Sequence, residues 1–182
     1  MARIKEEIIN IDGQDILITT PTKEDAKEVL EFRKCAYEES DFLLRYPDEL
    51  NITEEQQGNF LDKMIESQLN VFICLKVGNK IIANSNVNGN DKRKCRHIGS
   101  IGISIRKDYW GKGLGTKLFE KILEWADEMN ISRLTLEVDA TNERGIALYK
   151  KFGFEIEGTH KMTTRLSDGT FRDSYSMARI AE

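Results

Sequence analysis

The stretch Asp108–Leu118, DYWGKGLGTKL, has three glycines at alternate positions, Gly111, Gly113 and Gly115. An apolar run typical of a strand, Ile101–Ile105, precedes this stretch, and a segment with the apolar spacing of an amphipathic helix follows it. Glycine destabilises regular structure, so three glycines this close together require a reason. We therefore expect a strand-to-helix turn at which something approaches the backbone more closely than a side chain would allow.

A strand followed by a glycine turn and a helix N-terminus is a typical anion-binding arrangement. The first helical turn has unpaired N–H groups and partial positive charge, and Lys112 and Lys117 add to that charge. The stretch is not a P-loop, because Arg106 stands where that motif needs its first glycine. It is not a dinucleotide-binding GxGxxG motif either, because its last position is Thr116. A glycine-rich turn without a ligand remains the alternative.

The segments around the glycine stretch alternate between strand and helix patterns. Together they predict a mixed α/β (α+β) sheet of about seven strands with about four helices on its faces. The expected order is a strand at Ile16–Thr19 with a small hairpin onto Ile8–Ile11, a helix from Thr22 to about Tyr37, a helix capped by Thr53, three strands of which the last is Cys95–Ile105, a helix, the strand Leu134–Val138, a helix ended by Gly153, and a final hairpin.

The bulk composition is that of an ordinary globular protein. The chain has 182 residues with no repeat or linker, which predicts a single domain over residues 1–182. A net charge of −4 argues against a protein that coats nucleic acid. The three cysteines have wide spacings and no CxxC, so we expect no disulfide framework and no metal.

The distribution of apolar residues predicts a cytoplasmic protein with no membrane partner. No apolar run approaches the length of a membrane span. The first ten residues, MARIKEEIIN, lack the apolar core and the cleavage site of a signal peptide.

A second motif, Asp139–Gly158 with the sequence DATNERGIALYKKFGFEIEG, directly follows the strand LTLEV. Taken together, the two segments closely resemble the GNAT superfamily of acetyl-CoA-dependent N-acyltransferases. The family's coenzyme motif is Gln/Arg-x-x-Gly-x-Gly/Ala, and this chain has its glycines at Gly113 and Gly115, with Trp110 in place of the polar residue. Residues that match the second motif include Asn142 and Tyr149. The resemblance extends over nearly the whole chain.

The resemblance implies a GNAT fold, in which two adjacent strands splay apart and the pantetheine arm of acetyl-CoA lies between them. The pyrophosphate would bind the backbone amides of Lys112–Leu118, with Asn142 contacting the coenzyme from the other side. Gly113 and Gly115 align with the family's glycines, and Gly111 is expected to be less constrained. The positions expected to contact acetyl-CoA are Ile103, Ile105, Arg106, Lys107, Gly111, Lys112, Gly113, Leu114, Gly115, Thr116, Lys117, Leu118 and Asn142.

Transfer of an acetyl group to an amine requires a proton donor for the thiolate, a hydrogen-bond donor for the oxyanion and a route for the amine's proton. The resemblance assigns the first role to Tyr149 and the second to the N–H of Ile105; the alternative is that Tyr149 is a core aromatic. For the base, His97 and Glu137 are the candidates, because residues 94–106 contain no Asp or Glu. A water relay is the alternative to both.

The family builds its acceptor pocket from the first helices, their connection and the last hairpin. The acidic and aromatic residues Glu38, Glu39 and Phe42 are therefore expected to bind a cationic acceptor, unless this segment is simply a solvated acidic loop. Arg165 and Arg172 flank the final turn and could instead meet an acceptor carboxylate. The sequence leaves the two ideas open.

The resemblance predicts an acyltransferase that moves an acetyl group from acetyl-CoA directly to a primary amine of a small molecule in a ternary complex. A polyamine, an amino acid and an aminoglycoside-like amine are the acceptors considered. One alternative is a protein N-terminal acetyltransferase of the ribosomal-protein type. Another is a regulatory domain that binds acetyl-CoA without turnover. Family members are often dimers, so the resemblance leaves a homodimer as one of the alternatives for the oligomeric state.

Overall fold

The computed structural model describes residues 3–181. In this part of the chain, eight strands form one sheet and four α-helices pack on it. The strands are β1 (Glu7–Ile11), β2 (Gln14–Thr19), β3 (Asn70–Val77), β4 (Lys80–Gly89), β5 (Ile98–Ile105), β6 (Arg133–Asp139), β7 (Glu155–Arg165) and β8 (Phe171–Ile180). The helices are α1 (Ala26–Glu39), α2 (Glu54–Glu66), α3 (Leu114–Glu128) and α4 (Glu143–Lys151).

The sheet splays in its middle, at a junction where neighbouring strands run parallel. The strand order is β1-β2-β3-β4-β5-β6-β8-β7, and β5 and β6 are the parallel neighbours. Their pairing is confined to Ile98–Ser100 of β5 against Arg133–Thr135 of β6. Beyond Ser100 the two strands part, while β4 stays paired with β5 as far as Ile105. The expected mixed, splayed sheet is therefore confirmed.

The edge of β5 that faces this gap has backbone groups that are not bonded to a neighbouring strand. The amide of Arg106 donates to the carbonyl of Ile82 on β4, at 2.9 Å. In an antiparallel pair the bonded positions alternate, so the N–H and C=O groups of Ile103 and Ile105 face away from β4. These groups point into the gap between β5 and β6.

Two apolar cores lie on opposite faces of the sheet. The larger core packs α3 and α4 against one face, with Leu118 and Ile122 of α3 fully buried. The smaller core packs α1 and α2 against the other face, around Phe32. Neighbouring residues of β3 point to different cores, Ile73 to the larger and Phe72 to the smaller, as the alternation of a strand requires.

Most predicted elements are present, and the differences lie at their ends. Thr53 caps α2 as expected, because its hydroxyl accepts a hydrogen bond from the amide of Gln56 at 3.2 Å. The helix expected to open at Thr22 instead begins with a short 3-10 turn, and α1 starts at Ala26. The strand expected from Cys95 begins only at Ile98, because a 3-10 helix at residues 93–95 and a turn at residues 96–97 precede it. The eighth strand comes from counting the N-terminal hairpin as part of the sheet.

None of the helices between residues 3 and 181 combines the length and the apolar character that crossing a membrane would require.

Candidate active site

The glycine turn holds two left-handed residues ahead of α3. Gly111 has a φ of 76° and Gly113 a φ of 80°, a region that other L-amino acids rarely adopt. A Cβ added at either position would meet no other atom within 4 Å, so the space in front of the helix is open. The expectation that Gly111 is less constrained was wrong, because its backbone needs glycine as much as that of Gly113.

The anion-binding amides at the start of α3 are fewer than expected. Gly113 is the N-cap, so the first-turn amides without a helical partner are those of Leu114, Gly115 and Thr116. The amide of Lys117 already donates to the carbonyl of Gly113 at 3.2 Å. Leu118 is fully buried in the core. The predicted set of amides, Lys112–Leu118, therefore loses those of Lys117 and Leu118.

Gly115 has a different role from the other two glycines. A Cβ at this position would lie only 2.7 Å from Cδ2 of Leu148, so Gly115 allows α3 to approach α4 closely. The side chains of the two lysines point to other partners. Lys117 pairs with Glu120 at 2.9 Å, and the ammonium of Lys112 lies 5.2 Å from the centre of the Tyr109 ring.

A cavity of about 260 Å³ lies between the end of β5, the glycine turn and the first turn of α4. We call it the glycine-turn cavity. Asn142 contributes to it from α4, where it is the N-cap: its Oδ1 accepts a hydrogen bond from the amide of Gly145 at 3.0 Å. The cap leaves the amide nitrogen of the Asn142 side chain for a ligand.

Trp110 connects the two sequence motifs across the glycine-turn cavity. Its indole N–H donates to the carbonyl of Ile105 at 2.7 Å. The guanidinium of Arg144, on the first turn of α4, lies 3.7 Å from the centre of the Trp110 ring. Burial lowers the pKa of Arg144. Sequence reasoning missed Arg144, although its place two residues after Asn142 in the second motif was a usable signal.

Arg106 and Lys107 have their backbone amides engaged by protein groups. The Arg106 amide bonds to β4, and the Lys107 amide donates to Glu39 Oε2 at 2.8 Å. Glu39 also accepts from the guanidinium of Arg106 at 2.8 Å. The structure therefore does not offer these two amides to pantetheine; at this end of β5, only Ile103 and Ile105 face the gap.

Glu39 is a clamp between α1 and the end of β5 rather than an acceptor-binding carboxylate. Burial alone would raise the pKa of Glu39, but the hydrogen bonds from Arg106 and Lys107 outweigh it and lower the pKa. Glu38 is exposed and lines neither cavity of the site. Both residues belong to the last turn of α1, which extends beyond its expected end.

A second, larger cavity of about 730 Å³ lies on the α1 side of the sheet. We call it the α1 cavity. Its walls are α1, the connection to α2, and the faces of β4, β5, β6 and β8. Phe42 lines it as expected. The two cavities share Ile103, Ser104, Asn142 and Tyr149, so they meet where β5 and β6 part.

Tyr149 stands at this junction with its ring in the core. The side chain is 7% exposed, and its ring centre lies 5.5 Å from that of Phe119 and 6.3 Å from that of Phe154. Burial raises the pKa of the phenol to about 12. The sequence left two alternatives for Tyr149, a core aromatic and a proton donor. In the structure the ring of Tyr149 packs in the core, and the residue also lines both cavities.

Comparison with known proteins identifies this arrangement. A family model described as the acetyltransferase (GNAT) family matches residues 27–154, more than half of the chain. The chain belongs to the GNAT family. This membership confirms the resemblance and the expected class of enzyme, an acetyltransferase.

A solved GNAT acetyltransferase from Streptococcus pneumoniae is similar over most of both chains. It is 33% identical, covers 91% of this chain and 99% of its own, and superposes with a TM-score of 0.87. The L-amino acid N-acetyltransferase AaaT of Escherichia coli is 30% identical over 55% of this chain and 62% of its own length. The spermidine N(1)-acetyltransferase of the same species is 34% identical over 41% and 40%. Each match thus spans less than two thirds of the curated relative.

The two base candidates occupy different places in this GNAT fold. His97 is exposed in the turn before β5, not on the strand, and lines neither cavity. It lies beyond the far end of β5, whose 8 residues extend roughly 26 Å. The structure therefore does not bring His97 to Tyr149. Glu137 is exposed on β6 and lines the α1 cavity.

The other acids of the α1 cavity are already paired. Asp139 accepts from Arg172 at 3.3 Å, and Glu157 accepts from Arg133 at 2.8 Å. Arg172 is thus not a free receptor for an acceptor carboxylate. Arg165 lies against the ring of Phe171, at 5.5 Å, and lines neither cavity of the GNAT site.

Proposed function

We propose that this protein transfers an acetyl group from acetyl-CoA directly to a primary amine of a small molecule in a ternary complex. One observation carries the proposal: two cavities on opposite faces of the sheet meet at a buried tyrosine, Tyr149, where β5 and β6 part. Such a junction lets a donor enter from one face and an acceptor from the other.

The residues of the glycine-turn cavity fit acetyl-CoA. Gly111 and Gly113 leave open space before the free amides of α3, which suits a pyrophosphate. The N–H and C=O groups of Ile103 face the gap, which suits the amides of a pantetheine arm, whereas the carbonyl of Ile105 already accepts from Trp110. The Asn142 side chain lies on the opposite wall. When bound, the coenzyme supplies an acetyl thioester at this junction.

The protein's own groups then have separate tasks. The N–H of Ile105 points into the gap, where it donates to the oxygen that becomes negative during transfer. Tyr149 keeps its proton at neutral pH because its pKa is raised to about 12, and it donates a hydrogen bond to the departing thiolate. The apolar rings around Tyr149 hold the phenol in place and exclude water.

Glu137 is our proposal for the group that attracts the acceptor ammonium and receives its proton. No Lys, Arg or His among residues 3–181 lies within 4.0 Å of its carboxylate, in contrast to Asp139 and Glu157 in the same cavity. An amine must lose its proton before it attacks, since it is mostly protonated at neutral pH. Proton loss through water remains the alternative, and Glu137→Gln separates the two.

Two relatives have names that agree with a small amine acceptor, whereas proteins of Bacillus subtilis and Escherichia coli are named for an alanine of the ribosomal protein bS18. The E. coli proteins act on L-amino acids and on spermidine by their names, and both are small molecules with amines. These two acceptors differ in charge, so the names do not choose between a carboxylate-bearing and a polycationic acceptor.

The test is a thiol-release assay with acetyl-CoA and a panel of amino acids, polyamines and aminoglycosides. We expect turnover on at least one small amine, with the acetyl group found on its nitrogen by mass spectrometry. Turnover only on ribosomal proteins, seen by intact mass, would replace the acceptor with a protein N-terminus. Tight coenzyme binding with no turnover on any acceptor would favour a regulatory domain.

A further inference from the structure

A buried amide holds an arginine at the wall of the α1 cavity. Arg33 lies on α1 and lines the cavity, and its Nη1 donates to Oε1 of Gln57 at 3.0 Å. Gln57, on α2, is only 1% exposed. The guanidinium also lies 5.8 Å from the centre of the Phe60 ring. Two helices thus fix the orientation of this cation before any ligand binds.

The orientation of Gln57 is costly in itself. Its Nε2 is buried and makes no hydrogen bond with any group among residues 3–181. Rotating the amide would satisfy that nitrogen no better and would place N–H groups against the guanidinium. An unpartnered buried N–H destabilises the fold. The structural effect of this arrangement is that the guanidinium of Arg33 is held in a fixed orientation.

Arg33 has no counter-ion within the part of the chain that the structure describes. Among residues 3–181, no Asp or Glu carboxylate lies within 4.0 Å of its guanidinium, whereas Arg133 and Arg172, which line the cavity or adjoin it, are both paired. Burial lowers the pKa of Arg33, and a second cation, Arg45, lines the same cavity. A guanidinium stays charged under these conditions. The α1 wall is thus positive, while the β6 wall has the unpaired carboxylate of Glu137.

We infer that Arg33 is the receptor for a carboxylate on the acceptor, so that the acceptor is an amino acid rather than a polyamine. This inference rests on the proposed function. Arginine binds carboxylates through two parallel N–H groups, and Nη1 is already oriented by Gln57. With Arg33 on one wall and Glu137 on the other, the cavity complements a zwitterion. A polyamine would meet repulsion from Arg33 and Arg45.

The experiment compares amines that differ only in the carboxylate. The probes are L-leucine, L-leucinamide and 3-methylbutylamine, with the matched pairs L-lysine and cadaverine, and γ-aminobutyrate and butylamine. We expect the best carboxylate-bearing acceptor to have a kcat/KM at least tenfold above its partner without the carboxylate, mainly through KM. Arg33→Gln should reduce that preference at least tenfold.

Two further variants keep the result interpretable. Gln57→Glu places an internal carboxylate beside Arg33 at nearly constant volume, so it should weaken the same preference even if Arg33→Gln folds poorly. Lys34→Gln removes the same charge from the next, exposed residue of α1, which lines neither cavity, and should leave the preference unchanged.

The outcomes separate this inference from the proposed function. Turnover with equal kcat/KM for both members of every pair overturns the role of Arg33 and leaves acetyl transfer standing. Equal losses on both members in Arg33→Gln also overturn it, because they indicate a structural role. The absence of turnover on every amine contradicts the proposed function first.

Discussion

The two cavities that meet at Tyr149 offer a ligand different kinds of chemical group. The groups that we propose for coenzyme binding in the glycine-turn cavity are mainly backbone groups, namely free amides at the start of α3 and the gap-facing edge of β5. The α1 cavity uses side chains such as Arg33 and Glu137 that come from segments far apart in the chain. A site made of backbone groups tolerates many side-chain substitutions but few changes of backbone conformation. A site made of side chains should instead be sensitive to single substitutions and less sensitive to small changes of backbone conformation.

The largest expected effect is at the junction of the two cavities, where the side chain of Tyr149 lines both of them. We expect Tyr149→Phe to lower kcat roughly 100-fold, the usual scale for loss of a general acid, because the ring still packs but the proton is gone. Coenzyme affinity, measured by calorimetry, should change less than about twofold, because backbone groups provide most of the binding.

The pH profile sharpens the same prediction. Because burial raises the pKa of Tyr149 to about 12, the phenol stays protonated throughout the assay range and should impose no alkaline loss of activity below that pKa. Tyr46→Phe, at an exposed site that lines neither cavity, is the matched control. A Tyr149→Phe enzyme as fast as the wild type would leave Tyr149 only its packing role.

A change of backbone conformation should damage the glycine-turn cavity. Gly113→Ala forces a left-handed alanine, and we expect the coenzyme Kd to rise roughly tenfold, equivalent to about 1.4 kcal/mol. Gly169→Ala is the matched control, because Gly169 has a φ of 86° and equally open surroundings but lies in the β7–β8 turn. Both variants should lose about 1–2 kcal/mol of stability. Equal coenzyme Kd values for both variants would contradict a site at the glycine turn.

Substitution of Glu39 tests whether this carboxylate at the end of α1 binds the acceptor or stabilises the contact between α1 and the end of β5. We expect Glu39→Gln to lower the free energy of unfolding by about 1 kcal/mol, because charge-assisted hydrogen bonds to Arg106 and Lys107 weaken. Glu38→Gln, its exposed neighbour, should change neither stability nor KM. A large rise in acceptor KM without loss of stability in Glu39→Gln would instead restore its predicted acceptor role.

The contribution of the Glu39 clamp should depend on pH in a defined direction. The pKa of Glu39 is lowered in the folded protein, so the clamp stabilises fully above the carboxylate's ordinary pKa of 4.5. The stability difference between the wild type and Glu39→Gln should shrink as the pH falls through the lowered pKa, as measured by urea unfolding at successive pH values.

The smallest expected effect concerns Trp110. Trp110→Phe keeps a ring under Arg144 but removes the hydrogen bond to Ile105, so we expect the coenzyme Kd to rise by about threefold, within the usual 0.5–1.5 kcal/mol of a neutral hydrogen bond. Trp125→Phe is the control, since Trp125 is buried away from both cavities. A change of more than roughly 30-fold would mean that Trp110 holds the coenzyme directly.

The difference between the cavities also explains what the sequence could predict. The glycines, Asn142 and Tyr149 lie in two continuous motifs, so local spacing and family resemblance were enough to locate them. Arg33 and Gln57 are 24 residues apart, and Glu39 and Arg106 are 67 apart, so no local pattern marks either pair. His97 was misplaced because the pattern did not fix where β5 begins.

The parting of β5 and β6 has a consequence for the stability of the whole protein. A sheet normally exposes unpaired backbone only at its rim, but this one has two additional edges in its interior. A ligand that bonds to those edges acts as an inserted strand and binds only the folded state. At a concentration of 100 times its Kd, such a ligand adds about 2.7 kcal/mol to the free energy of unfolding. The temperature at which the protein unfolds should therefore rise with the concentration of the coenzyme.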